Sequence, residues 1–302
     1  LADNPLVDYQ QETIQNIIPD PRGVSVHTSR KRYRAKKLFN SILPTFQPQP
    51  ERIYLWQHFA GWEVEFEHDV LEPECIHLMD FQTSQANGPC FFYLLPFTHQ
   101  KGLVECTVFS EKVWDKTAYE GAIHQYINTH FPDQAFQIRR REFGRIPMTN
   151  HRFGTEGHPH IIPIGTAAGL TKPTTGYTFS RIQTDSQQIV AAVSNGTPLT
   201  AHRTQGSRYT FYDDLLLYLI HHQPDQISRI FSSLFQRNPI RNILRFLDED
   251  GSLLQDLSLI LRLPWRPFLE AIWAYYLRPY RQTFPDFLTS SVSHHEPHTL
   301  SH

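Results

Sequence analysis

The sequence of 302 residues lacks a long hydrophobic run and a strong excess of charge. Its longest apolar stretches are 91-FFYLLPF-97 and 215-LLLYLI-220, far short of the ~20 residues that a membrane-spanning helix requires. We therefore expect no transmembrane segment. The formal net charge is -2, which argues against a general nucleic-acid binder. The basic run 30-RKRYRAKK-37 is a local exception, and a solvated face of a β-ribbon explains it more simply than nucleic acid does.

Cysteine is also scarce, with three residues, Cys75, Cys90 and Cys106, spaced widely along the chain. This spacing builds neither a disulfide framework nor a zinc site, so we expect no metal and a reducing, cytoplasmic location. The first ten residues do not form a signal peptide. The polar stretch 289–302, which contains four histidines, is predicted to be a disordered tail.

Glycine is present at 14 positions, but no two glycines stand in a G-x-G pattern. The G-x-G-x-x-G fingerprint of a dinucleotide-binding βαβ unit is therefore absent from this sequence.

What the sequence does contain is a set of β patterns in its first half. Residues 1–43 are predicted to be short strands, and 62-WEVEFE-67 alternates apolar and acidic residues as a half-buried strand does. The runs 90–97 and 102–110 are predicted to be adjacent antiparallel strands. A helix over 117–131 and a strand over 136–148 follow.

The second half changes from strand to helix. A strand over 160–165, a glycine loop over 165–176 and a helix from about Tyr177 to Asn195 are predicted first. From Arg208 onward the chain is predicted to be helical, with breaks at Pro224, Pro239, Gly251 and Pro264. The fold class is therefore α+β.

Glu105 is the strongest candidate for acid–base chemistry. In 102-GLVECTVFS-110 it shares a strand face with Leu103, Thr107 and Phe109. Burial among such neighbours disfavours the carboxylate, so the pKa of Glu105 would rise and the group would serve as a general acid. The simpler alternative is a strand glutamate that faces solvent or pairs with a cation. Asp80, in 78-LMDF-81, is a weaker second candidate because it also fits the end of a strand.

The loop 165-GTAAGLTKPTTG-176 is the strongest candidate for ligand binding. Its small residues let backbone N–H groups approach a ligand closely, and the positive end of the following helix suits a phosphate or an electron-rich heterocycle. Glycine at such a joint also serves packing alone, and the spacing does not separate these two interpretations.

Together with these features, an ordered set of segments resembles the flavin-dependent lycopene cyclase family of bacteria and plants, over residues 4 to about 273. The segments are 56-WQHFAGWEVE-65, 78-LMDF-81, 91-FFYLLPF-97, 103-LVECTVFS-110, 142-EFGRIPM-148, 164-IGTAAGLTKPTTGYTFSRIQ-183, 209-YTFYDDLLL-217, 231-FSSLFQRNP-239, 246-FLDED-250 and 264-PWRPFLEA-271.

The resemblance implies a lycopene beta-cyclase, an isomerase that closes the ψ-ends of lycopene into β-ionone rings without net redox change. It implies a two-domain, glutathione-reductase-like flavoprotein that uses reduced FAD, regenerated by NAD(P)H. Carried over to this sequence, Glu105 is the acid of cyclisation. Asp80 is next in line as an isolated acid among apolar residues, not through the resemblance. The flavin-contacting positions that the resemblance implies are Gly165, Thr166, Ala167, Gly169, Pro173, Thr174, Thr175, Gly176 and Tyr177.

A carbocation in this reaction needs electron-rich neighbours, and aromatic faces supply them. The predicted stabilisers are Phe91, Tyr93, Phe97 and Phe109. A carotenoid substrate also implies peripheral contact with a membrane, and the predicted contact residues on the C-terminal helices are Phe231, Phe235, Trp265 and Phe268. A packed helical cap is the alternative for these helices.

The missing glycine fingerprint is a departure from the family. About a hundred residues of an N-terminal flavin-binding unit are expected to be missing, by the size of such a unit. The predicted organisation is then a remnant of the flavin domain over 1–45, a substrate sheet over 46–150, a returning flavin segment over 151–200, a helical region over 201–288 and the tail. Two other functions stay open: a flavin monooxygenase of related fold, which would consume O2, and a non-catalytic carotenoid-binding fragment.

Overall fold

The computed structural model describes residues 4–43, 49, 52–151, 153, 158–199 and 207–274, and it is a mixed structure of strands and helices. The strands are β1 (Ile14–Asp20), β2 (Gly23–Thr28), β3 (Arg32–Ala35), β4 (Leu38–Asn40), β5 (Tyr54–Phe66), β6 (His77–Asp80), β7 (Cys90–Pro96), β8 (Lys101–Ser110), β9 (Phe136–Thr149) and β10 (Ile161–Pro163). The α-helices are α1 (Lys116–His130), α2 (Phe179–Ser194), α3 (Ser207–His222), α4 (Ile227–Arg237), α5 (Ile240–Leu247), α6 (Leu253–Ile260) and α7 (Trp265–Ile272). Short 3-10 helices cover Gly165–Ala168 and Pro224–Gln226.

Contacts divide the described residues into two compact units. The larger unit contains residue 49 and residues 52–151, 172–176 and 207–274, and the smaller contains residues 4–43, 153, 158–171 and 177–199. The glycine loop is thus divided, with residues 165–171 in the smaller unit and 172–176 in the larger. The predicted tail, 289–302, lies outside the described residues.

The larger unit is built on a five-stranded antiparallel sheet in the order β6-β7-β8-β5-β9. The predicted antiparallel pairing of the 90–97 and 102–110 runs is confirmed. The alternation in 62–67 is confirmed as well, because Trp62, Val64 and Phe66 are buried and the glutamates between them are not. Long strands with alternating residues give this sheet two distinct faces.

One face of the sheet packs against α1. This helix begins after Asp115, whose carboxylate accepts a hydrogen bond from the backbone N–H of Ala118 at 2.8 Å, a common N-cap arrangement. Its buried residues, Tyr119, Ile123, Tyr126 and Ile127, lie against Val104, Cys106 and Val108 in one apolar cluster. The predicted helix over 117–131 is therefore confirmed to within one residue at each end.

Sheet residues Phe91 and Phe109, whose side chains point away from α1, belong to a second apolar cluster with the C-terminal helices. Leu217 and Leu219 of α3 and Ile227 of α4 are among its fully buried members. The helices are interrupted at the predicted breaks, since Pro224, Pro239, Gly251 and Pro264 all lie between them. The sheet is therefore covered on both faces, by one helix on one side and by several on the other.

The smaller unit contains a three-stranded sheet, β1-β2-β3, and a parallel pair of β10 with β4. After β10 the chain enters the 3-10 helix Gly165–Ala168, where a loop was predicted. α2 begins at Phe179, so Tyr177 and Thr178 separate it from Gly176. The sequence predicted that the helix follows the glycine turn directly. In the structure two residues lie between them.

No described helix combines the length and the hydropathy needed to cross a membrane. Within the same described ranges, no three His, Cys, Asp or Glu side chains are arranged to hold a metal ion.

Candidate active site

Glu105 lies on β8 at the boundary between the buried and the accessible part of one sheet face. Along this face Phe109 and Thr107 are buried, Glu105 and Leu103 are half-buried, and Lys101 is exposed. Thr107 Oγ1 donates a hydrogen bond of 2.9 Å to Glu105 Oε1. Glu105 is therefore largely withdrawn from water and still reachable from outside the sheet.

The surroundings of Glu105 favour its protonated form. The pKa of Glu105 is raised to about 7, and desolvation is the largest cause, because a carboxylate is poorly stabilised away from water. The hydrogen bond from Thr107 acts in the opposite direction, while the charge and a hydrogen bond of Glu142 raise the pKa further. A carboxyl group with these properties holds a proton near neutral pH and can donate it.

Glu142 reaches Glu105 across a glycine. Gly61 of β5 pairs with Glu105 of β8 on one side and with Glu142 of β9 on the other. A Cβ atom at Gly61 would lie 2.9 Å from both Cγ and Oε1 of Glu142, which shows that the Glu142 side chain occupies the space above the glycine. The sequence analysis did not single out Glu142, although it lies in the quoted segment 142-EFGRIPM-148.

Three of the four predicted aromatic residues lie together on the Glu105 face. The rings of Phe91 and Tyr93 are 5.5 Å apart and those of Phe91 and Phe109 are 5.2 Å apart, both edge to face. Tyr93 is also the cross-strand partner of Glu105. Phe97 is outside this group, since it is exposed in the turn after β7.

Asp80 is not brought to Glu105. Its Oδ2 accepts a hydrogen bond of 2.9 Å from the Tyr126 hydroxyl and lies 3.5 Å from His130 Nε2, and both partners belong to α1. Asp80 therefore faces the α1 side of the sheet, whereas Glu105 faces the side away from α1.

The second half of the glycine loop, Lys172–Gly176, is anchored by buried charges of the larger unit. Lys172 Nζ lies 2.9 Å from Asp213 Oδ1 and 3.0 Å from Glu249 Oε1. The Thr174 hydroxyl donates a hydrogen bond of 2.8 Å to Asp213 Oδ1. Pro173 and Thr175 are half-buried between these anchors. The loop is therefore fixed to Asp213 of α3 by Lys172 and Thr174, of which only Thr174 is among the predicted flavin-contacting positions.

Gly176 places the end of this loop on the same sheet face as Glu105. Its φ is +67°, and a Cβ atom there would lie 2.6 Å from Gln57 Oε1 and 3.3 Å from Ile146 Cδ1. Gln57 is four residues from Gly61 along β5, which corresponds to about 13 Å. Among the described atoms, Gln57 Oε1 is buried without a hydrogen-bond partner. An unsatisfied acceptor beside a glycine suits a ligand that offers an N–H donor.

The first half of the loop belongs to the smaller unit. Gly165 has φ +60°, and a Cβ atom there would meet open space, while Gly169 has φ +73° and follows the 3-10 helix. The hydroxyls of Thr166 and Thr171 share a hydrogen bond of 2.9 Å, and Ala167 is buried. The side chain of Thr178, the N-cap residue of α2, does not cap the helix. Tyr177 is exposed, and its hydroxyl lies 3.1 Å from Ser180 Oγ.

Comparison with known proteins gives a family match over most of the chain. A family model described as "Lycopene cyclase protein" matches residues 2–272. A curated lycopene beta-cyclase from Paracoccus sp. (strain N81106 / MBIC 01143) is 32% identical over 140 residues, which cover 44% of this chain and 35% of the relative. The chain therefore matches about a third of that relative's length.

Solved structures of low sequence identity resemble the chain weakly. A geranylgeranyl bacteriochlorophyll reductase-like protein from Thermoplasma acidophilum has 11% identity and a TM-score of 0.44, covering 88% of this chain and 67% of that one. The flavin-dependent brominase Bmp2 has 14% identity and a TM-score of 0.45, covering 89% and 71%. At such scores these likenesses carry no functional conclusion.

Proposed function

The chain belongs to the lycopene cyclase family. From this membership we propose that it functions as a lycopene beta-cyclase, which closes the ψ-ends of lycopene into β-ionone rings. The observation that supports this proposal most directly is Glu105, a half-buried carboxyl whose pKa is raised to about 7 on an apolar, aromatic sheet face. The reaction is an isomerisation, so the product has the mass of the substrate.

Glu105 acts as the general acid in this proposal. Protonation of an unactivated double bond requires a proton donor that is close and poorly solvated. Its position at the edge of the buried region lets a polyene end reach the carboxyl while water is largely excluded. Asp80 is already bound to Tyr126 and His130, so we assign it a role in fixing α1 to the sheet rather than in proton transfer.

The aromatic group on the same face is suited to the cationic stage of the reaction. Phe91, Tyr93 and Phe109 pack edge to face beside Glu105, and aromatic faces attract a cation at short range. We propose that these rings stabilise the carbocation that protonation creates. Phe97, exposed in its turn, is left out of this assignment.

The residues near Gly176 fit a flavin. Gln57 packs so closely against Gly176 that a Cβ atom there would clash with it, and the unsatisfied Gln57 Oε1 can accept a hydrogen bond from a ring N–H. Lys172 and Thr174 hold that stretch in place through Asp213. For Gly165, Thr166, Ala167, Gly169, Pro173, Thr174, Thr175 and Tyr177 flavin contact is proposed from the family resemblance. Reduced FAD, when bound, would supply negative charge that favours the cationic stage, with NAD(P)H as the reductant.

We also propose peripheral contact with a membrane, since lycopene dissolves in lipid. The exposed apolar residues in and between the last two described helices support this, in particular Leu254, Leu261 (80% exposed) and Trp265 (63% exposed). Of the residues expected from sequence, Trp265 is exposed, whereas Phe231 is 4% exposed and Phe235 and Phe268 pack against the core.

Pigment analysis in a lycopene-accumulating host tests the function. The protein is expressed from the full reading frame that contains this chain, as wild type and as Glu105→Gln and Asp80→Asn. We expect β-ring carotenoids from the wild type, a loss of at least a hundredfold in Glu105→Gln, in line with removal of a general acid, and retained activity in Asp80→Asn.

Several outcomes would count against the proposal. If the wild-type protein accumulates and the pigments do not change, the proposed cyclase function is wrong. An oxygenated product would favour a monooxygenase. Cyclisation that persists in Glu105→Gln and disappears in Asp80→Asn would move the acid to Asp80.

A further inference from the structure

We propose that Glu142 is a positioning residue for Glu105: across the side-chain-free Gly61, its carboxylate binds the Glu105 carboxyl and holds a proton on it. This inference rests on the proposed function, because it concerns the group that donates the proton in cyclisation. It assigns Glu142 no contact with the substrate. It also gives Gly61 a specific purpose in the sheet.

The register of the three strands supports this inference. Glu105, Gly61 and Glu142 are aligned side by side on β8, β5 and β9. Residues two strands apart in a sheet are separated by nearly 10 Å, and long side chains can meet over that distance only if the residue between them is small. With its Cγ and Oε1 above Gly61, the Glu142 side chain extends toward Glu105, and its charge and hydrogen bonding contribute to the raised pKa of Glu105.

The other groups on this face do not replace Glu142 as partner. Thr107 donates to Glu105 and so favours the charged form, in contrast to Glu142. Tyr93 is a neutral neighbour, because desolvation, followed by the charge of Glu105, raises the pKa of its phenol. Glu63 and Arg140 are cross-strand neighbours two residues farther along the strands. Two carboxyls in contact share one proton most favourably, since two adjacent negative charges repel.

The pair of carboxyls donates a proton to the substrate and then regains one. The O–H bond of Glu105 breaks and a C–H bond forms with the electron pair of the terminal double bond, which leaves a carbocation and a second carboxylate beside Glu142. Repulsion between the two carboxylates then favours return of a proton to Glu105. The electron pair of a second double bond attacks the carbocation, which forms the ring C–C bond and moves the positive charge to a ring carbon. A C–H bond on the neighbouring ring carbon then breaks, its electron pair restores a double bond and its proton passes to solvent, so the substrate gains and loses one proton in each closure.

Infrared titration of the full chain tests the pairing without substrate. A protonated carboxyl band that is absent in Glu105→Gln identifies Glu105, and in the wild type we expect it to disappear with a midpoint near pH 7. Glu142→Gln removes the neighbouring charge, so the midpoint should fall by about one pH unit. Gly61→Ala keeps both carboxyls but displaces Glu142 and should also lower the midpoint. Glu63→Gln, the matched control, should leave it unchanged.

The pH profile of cyclisation tests the positioning role. Because the active form of Glu105 is protonated, activity should fall as the pH rises through about 7, and in Glu142→Gln this fall should occur about one pH unit lower.

A midpoint unchanged in Glu142→Gln would overturn the pairing, and a shifted band with an unshifted activity profile would overturn the positioning role. A shifted band in a protein that forms no cyclised product at any pH would instead mark a failure of the proposed function.

Discussion

At the scale of single residues, the acid site brings together Glu105, Gly61 and Glu142 from three different strands. Glu105 could be found because alternation within β8 shows which residues share its face. Glu142 could not, because residues 61, 105 and 142 become neighbours only when three distant strands align. The surroundings of Asp80 were missed for the same reason, since its partners are on α1. A glycine directly before the predicted strand 62–67 was the available signal at position 61.

Thr107→Val provides a residue-level prediction of opposite sign to Glu142→Gln. The Thr107 hydroxyl stabilises the Glu105 carboxylate, so its loss should raise the pKa of Glu105 by roughly half a unit to one unit. Activity should then persist to higher pH than in the wild type, as measured by cyclisation rate between pH 6 and pH 9. A shift to lower pH would contradict the assigned hydrogen bond.

At the scale of elements, propensity and breakers predicted the helices and strands well, and their exposed faces poorly. The helix breaks at proline and glycine are those expected from local chemistry. Which face of a C-terminal helix is covered depends on tertiary packing, so Phe231 of α4, expected at a membrane, is in the core, whereas Leu254 of α6 is exposed. The 3-10 helix at Gly165–Ala168 was missed because so short an element has no periodicity to detect.

Lys172→Met tests the anchoring of the glycine loop. The substitution leaves the carboxylate of Asp213, which is 4% exposed, without its buried ammonium partner. We expect the free energy of unfolding to fall by about 3–5 kcal/mol, and adding Asp213→Asn should recover part of the loss. The matched control is Lys101→Met, whose partner Glu65 is 3.4 Å away at the surface, where the loss should be at most ~1 kcal/mol. If urea denaturation shows the same loss of unfolding free energy for Lys172→Met and Lys101→Met, Lys172 does not anchor the loop.

At the scale of the whole molecule, linear domain boundaries describe the chain incompletely. The larger unit takes residues 172–176 from the middle of a loop whose preceding part belongs to the smaller unit. No change in composition marks the points where the chain passes from one unit to the other. These points are set by contacts such as those of Lys172 with Asp213 and Glu249. The mixed α and β character could be predicted from periodicity, and the division into units could not.

Membrane contact is a property of the whole molecule that sedimentation with lipid vesicles can test. Vesicles of phosphatidylcholine and phosphatidylglycerol should carry down the wild-type protein, and Leu261→Glu combined with Trp265→Glu should reduce the bound fraction about tenfold, since each side chain loses apolar burial in lipid. Ile76→Glu, at another exposed apolar residue, is the control and should bind as the wild type does. Equal binding of all three proteins would place the contact elsewhere.

The most direct test of the central claim is cyclisation in D2O by the protein expressed from its full reading frame, with reduced flavin and lycopene. Glu105 exchanges its proton with solvent, and the proton that leaves the ring carbon comes from the substrate. The product should therefore contain one deuterium for each ring closed, with no oxygen added, and Glu105→Gln should form none. A cyclised product free of deuterium, or an equally labelled product from Glu105→Gln, would contradict Glu105 as the acid that starts ring closure.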